Sequence, residues 1–328
     1  MRKYLVFLSA FFILFIAAAG GYIWYRGSIS APSVSEDSVR FVITKGSSAN
    51  KIGSDLEEAG LIKSALAFKF YTQLNDIAGS LPPGEFSVPQ NLGLEGLIAH
   101  LMKGPSELWV TIPEGLRREE VVEKVIVQLG LPEDEAISFR EEFLSLTRND
   151  EGHLFPDTYL FPKDATPQAV SNKLISTYET KFDYSGDGVL SREEAVVLAS
   201  IIERETITDS ERPIVAGVLL NRMNNEWPLQ ADATAQYALG TARCQGKANC
   251  DWWEPPLRAD LEVDSPYNTY VITGLPPAPI SNPGISSLNA AASPADTDYF
   301  YYIHDRDGNI HFAETLDEHN ENVSRYIR

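Results

Sequence analysis

The sequence predicts an α+β protein, with a small strand–helix module and then a larger mixed domain, both behind an apolar amino-terminal segment. Three observations carry this expectation. The segments FVITKG (41–46) and WVTIPEG (109–115) are short and rich in β-branched and aromatic residues, and each gives way to a helix-type apolar period. Helix periods then run through the middle of the chain. Two strand patterns close it, YFYYIHD and NIHFA, around an Asp307-Gly308 turn, which is a hairpin signal. At 328 residues and 44% apolar composition the chain can bury two cores.

The elements follow in order. After Arg2 and Lys3, residues 4–25 carry no charge. At about 1.5 Å per residue this stretch spans about 33 Å, enough for the hydrocarbon core of a bilayer. The two cations hold the start in the cytoplasm and send the rest outward, and Tyr22, Trp24 and Tyr25 suit the far interface. A cleaved signal peptide ending near Ala17-Ala18-Ala19 is the alternative. Apolarity continues past it through Ile23 and Trp24, which favours residues 1–27 as a cytoplasmic tip and single-pass transmembrane anchor, in the cytoplasmic (inner) membrane with the remainder in the periplasm. Residues 28–37, rich in Ser and Pro, read as a linker.

In the small module Ser47 or Ser48 caps a helix that runs through Leu56 and stops at Gly60. A second helix covers 64–74. A Pro-Pro-Gly turn then leads into GEFSV and a helix ending near Gly104. WVTIPEG repeats the strand–glycine–helix shape of FVITKG, as two weak copies of one unit do. Further helices are expected over 119–129, 134–146, 167–180, 191–205 and 213–224. EGHLFPDTYLFP (151–162) is aromatic and broken by proline, so a structured loop is expected there. Beyond Trp227 the chain is Pro-rich and irregular.

Composition narrows the partners. A formal charge of −19 excludes nucleic acid, whose phosphates demand a basic surface. The two cysteines, Cys244 and Cys250, enclose a short polar loop, and an exported chain would join them in a local disulfide. Two free thiols are the alternative. No further Cys or His clusters nearby to make a metal site.

The most telling single residue is Glu203, a carboxylate inside the apolar helical run EEAVVLASIIERE. At about 100° per residue it projects beside Val196, Ala199 and Ser200, a small-residue face that leaves room for a ligand. A structural Glu paired with an Arg fits the same pattern. Glu205, two residues on, points about 160° away, towards Leu198 and Ile201, and is expected to pair with Arg212 or Arg222. Gln230 and Asp232 lie two apart in QADATAQY, so an extended segment would turn both to one side. SPYNTYVITGLPPAPISNPG (265–284) sets Tyr267, Asn268, Tyr270 and Asn282 among five prolines and two glycines. A rigid loop bearing amides and aromatic faces suits a sugar. Glu318, His319 and Asn320 are adjacent in TLDEHNENV. Each of these segments also reads as plain loop architecture.

Taken together and in order, EGHLFPDTYLF, ASIIERE, LQADATAQY, SPYNTYVITGLPPAPISNPG and FAETLDEHN resemble the motifs of the endolytic murein transglycosylases, the YceG-like family. The resemblance covers essentially the whole chain. It implies an amino-terminal anchor, a LysM-like module over 38–110 and a catalytic domain over 111–328. It also implies cleavage within peptidoglycan glycan strands, with peptidoglycan synthases as a class of partner. On it, Glu203 maps to the catalytic acid, and Gln230, Asp232, Tyr267, Asn268, Tyr270, Asn282, Glu318, His319 and Asn320 become sugar contacts. The implied chemistry is a lytic transglycosylation, in which one Glu acts as acid and then base and no cofactor is needed. Ala233 departs from the family's usual Pro after the Asp of this motif. The cysteine loop and Trp252-Trp253 read as a decoration. A muramidase-type hydrolase and a non-catalytic glycan-binding scaffold remain rival readings.

One further motif stands apart. DYSGDGVLSREE (183–194) fits an EF-hand calcium loop, with Asp183, Ser185 and Asp187 as the first ligands, Val189 through its carbonyl and Glu194 as the last. The competing reading is a Gly-Asp-Gly turn followed by a capping box of Ser191 and Glu194.

Overall fold

The computed structural model describes residues 12, 15, 16, 19–77, 79–186, 189–245, 247 and 250–327. It is a mixed α+β chain that divides into two compact units, residues 1–109 with 160–164, and residues 110–159 with 165–328.

The first unit follows the predicted order: β1 (Ser38–Ile43), α1 (Ala49–Glu58), α2 (Ala65–Leu74), β2 (Gly84–Pro89), α3 (Leu94–Met102) and β3 (Glu107–Thr111). Ser48 caps α1 by accepting from the Lys51 amide at 3.3 Å, and Ser64 caps α2 by accepting from Ala67. β1 and β2 pair antiparallel with Phe41 opposite Phe86, so both rings turn to one face. There they meet Leu56, Phe68, Leu97 and Leu101, all buried. With β4 (Thr158–Pro162) the strands form a sheet of order β1-β2-β3-β4. The expected anchor over residues 1–27 falls largely outside the described residues. Residues 19–28 are helical. Among the described residues no helix is long and apolar enough to cross a membrane.

The second unit holds α4 (Arg118–Leu129), α5 (Glu133–Leu146), α6 (Pro167–Lys181), α7 (Arg192–Glu205), α8 (Arg212–Asn224), α9 (Asp232–Cys244), α10 (Ile285–Ala292), the hairpin β5 (Tyr301–His304) and β6 (Ile310–Ala313), and α11 (Leu316–Tyr326). α7 is its axis. Every residue from Ala195 to Ile202 is buried, because α8, α9 and α10 all pack on it. The Ser191–Glu194 capping box starts it.

Four elements depart from the expectation. β4 lies inside EGHLFPDTYLFP, and α9, α10 and α11 lie where loops were read. α9 explains its own concealment. Gln230 adopts φ 52°, a left-handed turn unusual for a side chain, and this reorients the chain so that a helix begins at Asp232. The predicted hairpin is present, with Tyr302 opposite Phe312.

Candidate active site

α7 ends with two carboxylates on opposite sides, and their surroundings differ. Glu203 is fully engaged. Its Oε1 accepts from Arg212 Nη2 at 3.1 Å, and its Oε2 accepts from the Gly284 amide at 2.9 Å and from Ser287 Oγ at 2.8 Å. The Glu203 side chain is 6% exposed and that of Arg212 is 8% exposed. Gly284 is the residue before α10, so the carboxylate also sits at the positive end of that helix. Arg212 serves a second carboxylate, Glu114, at 3.8 Å, and Asp209 as well. Glu114 lies so close over Gly284 that a β-carbon there would collide with it. Burial and the charge of Glu203 push the Glu114 carboxyl up, with Arg212 opposing. Arg204 turns elsewhere, stacking its guanidinium 3.9 Å over the Trp253 ring. Ala199 and Ser200 do not floor an open cleft. Both are sealed, and Ser200 Oγ accepts from the Ile280 amide at 3.0 Å.

Glu205 is the contrasting case. Its Oε2 accepts from the Tyr302 hydroxyl at 2.9 Å, and the Ala233 amide at the start of α9 also reaches it. The Glu205 carboxyl is pushed up, chiefly by burial, with Asp232 adding to the effect and Tyr302, Ala233 and Arg222 opposing it. It is not paired to Arg212, as the helix argument had expected. The Arg222 guanidinium is buried and spends its protons on the carbonyls of Phe300 and Leu229.

Two residues expected at a sugar site, Asp232 and Tyr270, gather with Glu205. Asp232 is exposed and accepts from the Tyr270 hydroxyl at 2.5 Å. Tyr270, pushed up by burial and by Asp232, keeps its proton. Gln230 is exposed on the strained turn just before them. His319 stacks on Tyr301 with ring centroids 5.3 Å apart, and burial with Arg222 pushes its imidazole down.

Others serve the scaffold instead. Asn282 is wholly buried. Its Oδ1 accepts from the amides of Gly152 and Leu154, and its Nδ2 donates to the Leu116 carbonyl and to Glu151 Oε1 at 2.8 Å. Asn268 is wholly buried too, with Nδ2 donating to Leu261 and Val263. These two clamp loops, because every polar atom of the amide already has a backbone or side-chain partner. Tyr267 packs on Tyr237 at 4.8 Å. Glu318 caps α11 through the Glu314 and Thr315 amides, and Asn320 is exposed. Cys244 and Cys250 are bonded, with Cα atoms 5.6 Å apart. In the calcium motif, Asp187 lies outside the described residues, as does Gly188, while Asp183 and Ser185 are exposed. Glu194 Oε2 is taken by the Ser191 amide at 2.8 Å. Among the described residues no group of three acidic, His or Cys side chains could hold a metal.

Sequence reading missed Tyr302 and assigned Glu205 to a buttress. The signal for Tyr302 was present: in a period-2 strand one tyrosine of the YFYY run must face inward. It also missed Glu151, next to Asn282. Glu151 is buried, with Oε2 lacking a partner, and burial pushes its carboxyl up to about 8. Glu119 adds to this and Arg117 and Arg118 oppose it. A folded value above the unfolded one means stability is whole below about 4.5 and drains away as pH rises towards 8. Glu151→Gln should therefore melt with wild type at pH 5 and several degrees higher at pH 8. Parallel melting curves across that range would refute this.

The chain matches the family model described as the YceG-like family over residues 41–325. An endolytic murein transglycosylase of Bacillus subtilis is 30% identical over 341 residues, covering 94% of this chain and 91% of that protein. One from Streptococcus pneumoniae is 27% identical, covering 96% of this chain and 64% of that longer protein. A crystal structure of a YceG-like protein from Listeria monocytogenes superposes with a TM-score of 0.54 at 27% identity, covering 88% of this chain and 99% of that one. The motifs, the fold and the family match agree: this chain belongs to the YceG-like family.

Proposed function

We propose that the chain is an endolytic peptidoglycan lytic transglycosylase and that Glu205, the second carboxylate of the ASIIERE motif, is its acid and then its base. One observation carries the assignment: burial raises the Glu205 carboxyl, and the Tyr302 hydroxyl, the Ala233 amide and Asp232, itself bonded to Tyr270, gather on it. Glu203 is locked by Arg212, Gly284 and Ser287 instead. In the reaction, protonated Glu205 gives its proton to the oxygen joining N-acetylmuramic acid to N-acetylglucosamine as the C1–O bond breaks. The Glu205 carboxylate then takes the proton of the muramyl 6-hydroxyl as that oxygen bonds C1 and closes a 1,6-anhydro ring. No water is consumed. Asp232, which is exposed beside Glu205, supplies negative charge near the cationic centre.

Digestion of purified peptidoglycan followed by mass spectrometry tests the reading. Anhydro-muramyl ends support it. Products one water heavier indicate a muramidase-type hydrolase, and no turnover indicates a glycan-binding scaffold. The family homologues named endolytic murein transglycosylase support the first outcome.

The wider organisation is part of the same proposal. Residues 4–25 anchor the chain in the inner membrane, residues 38–110 act as a LysM-like glycan module, and residues 111–328 work in the periplasm, in reach of peptidoglycan synthases. Protease accessibility in spheroplasts and crosslinking in cells test both points. Loss of the chain into the soluble fraction would remove the anchor. For the loop 183–194, the Ser191–Glu194 cap argues against calcium, so chelator and added calcium should leave the melting temperature unchanged. A calcium-dependent rise would reinstate the ion.

A further inference from the structure

We propose that Tyr302 is a positioning residue that decides which oxygen of Glu205 carries the proton to the glycosidic bond. The proposal rests on Glu205 as the acid. Tyr302 lies in β5, opposite Phe312 of β6, and its hydroxyl meets Glu205 Oε2 at 2.9 Å. Among the described residues Glu205 is the only hydrogen-bond partner of that hydroxyl. A phenol packed away from water gives its proton to an acceptor, and the acceptor here is Oε2. The carboxylic proton of Glu205 then belongs on Oε1, the oxygen that Tyr302 does not engage. Were Tyr302 absent, the proton would be shared between two oxygens, one of them aimed into the protein.

Tyr302 can keep this role across the working range. Burial, reinforced by Glu205, pushes its phenol well above the ordinary value, so it remains a donor. The groups facing Glu205 come from four places: Tyr302 on β5, Arg222 on α8, Asp232 with the Ala233 amide on α9, and Tyr270 on the loop before α10. Asp232 pushes the carboxyl up, while Tyr302, Ala233 and Arg222 pull it down. A general acid works only while protonated, so its activity falls as pH rises through its titration. Removing the Tyr302 donor therefore moves the alkaline limb of the rate profile to higher pH, and strengthening the donor moves it lower.

The test uses the full chain in detergent on purified glycan strands. In Tyr302→Phe, KM should stay unchanged, kcat should fall at the wild-type optimum, and the alkaline limb should rise by about one pH unit. Site-specific 3-fluorotyrosine at 302 keeps the shape, donates more strongly and should move the limb down, which also covers a Phe variant that fails to fold. A tyrosine that merely packs would lower the melting temperature without moving the limb. Glu205→Gln separates the two levels. If that variant stays active, the acid assignment fails and this proposal with it. If it is inactive and both limbs stay at the wild-type pH, the role of Tyr302 alone is overturned.

Discussion

Glu205→Gln should abolish glycan cleavage while leaving the fold in place, with turnover falling by about 10²–10⁴-fold, the usual contribution of a positioned general acid. Gln keeps the shape of the side chain and can still accept from Tyr302, so the melting temperature should stay within a few degrees of wild type. It has no proton to give to the leaving oxygen and no carboxylate to receive the one from the 6-hydroxyl. Glu203→Gln is the matched control. It weakens the pairing with Arg212 and lowers stability, but its carbonyl still accepts from Gly284 and Ser287 and holds the end of α7, so turnover per folded molecule should stay within a few-fold of wild type. The measurement is anhydro-product formation normalised to the folded fraction by circular dichroism. The reverse pattern, an active Glu205→Gln and a stable but inert Glu203→Gln, would return the acid to Glu203.

Arg212→Met should be among the most destabilising single substitutions in the second unit. Both members of the Glu203–Arg212 pair are more than nine-tenths buried, so removing the cation strands a charge rather than merely losing an attraction. Breaking a buried pair this way costs about 3–5 kcal/mol. Glu203 keeps Gly284 and Ser287 as donors, which argues for the lower end, about 3 kcal/mol or a fall of about 6–10 °C in Tm. The double variant Arg212→Met/Glu203→Gln removes the stranded charge and should recover part of that loss. Thermal melts of the four-member cycle check it, and strict additivity would show that the two side chains do not depend on each other.

Much of the fold was legible in the sequence, for physical reasons that can be named. Ser48, Ser64 and the Ser191–Glu194 box marked helix starts because a side-chain oxygen must satisfy an otherwise orphaned amide. The hairpin was legible from Asp307-Gly308, whose glycine supplies φ 82°. α9 was hidden because the decisive feature, a left-handed Gln230, is not one that composition announces. The site was half legible. Asp232 and Tyr270 do come together, though through a helix start and not through an extended segment. Asn268 and Asn282 were chosen as rigid-loop amides, and the rigidity is what they provide. The two glutamates could not be ranked by periodicity. The middle of α7 is buried all round, so neither side of it was marked as the solvent side, and only contacts made by α8, α9, α10 and β5 distinguish them.

That burial gives the Glu203–Arg212 pair a mechanical meaning. A helix packed on every side by smooth apolar residues resists translation better than rotation about its own axis, and α7 carries one charged key on one side of its end, seated in Arg212 and the start of α10. Glu205 sits on the far side of the same turn, at a radius of about 5–6 Å from the axis. A twist of about 10° would swing its carboxyl by about 1 Å, a misplacement that typically lowers a rate about 10²-fold. Glu203 is thus the torsion stop that aims Glu205, and two glutamates two positions apart divide between them the tasks of fixing an angle and using it.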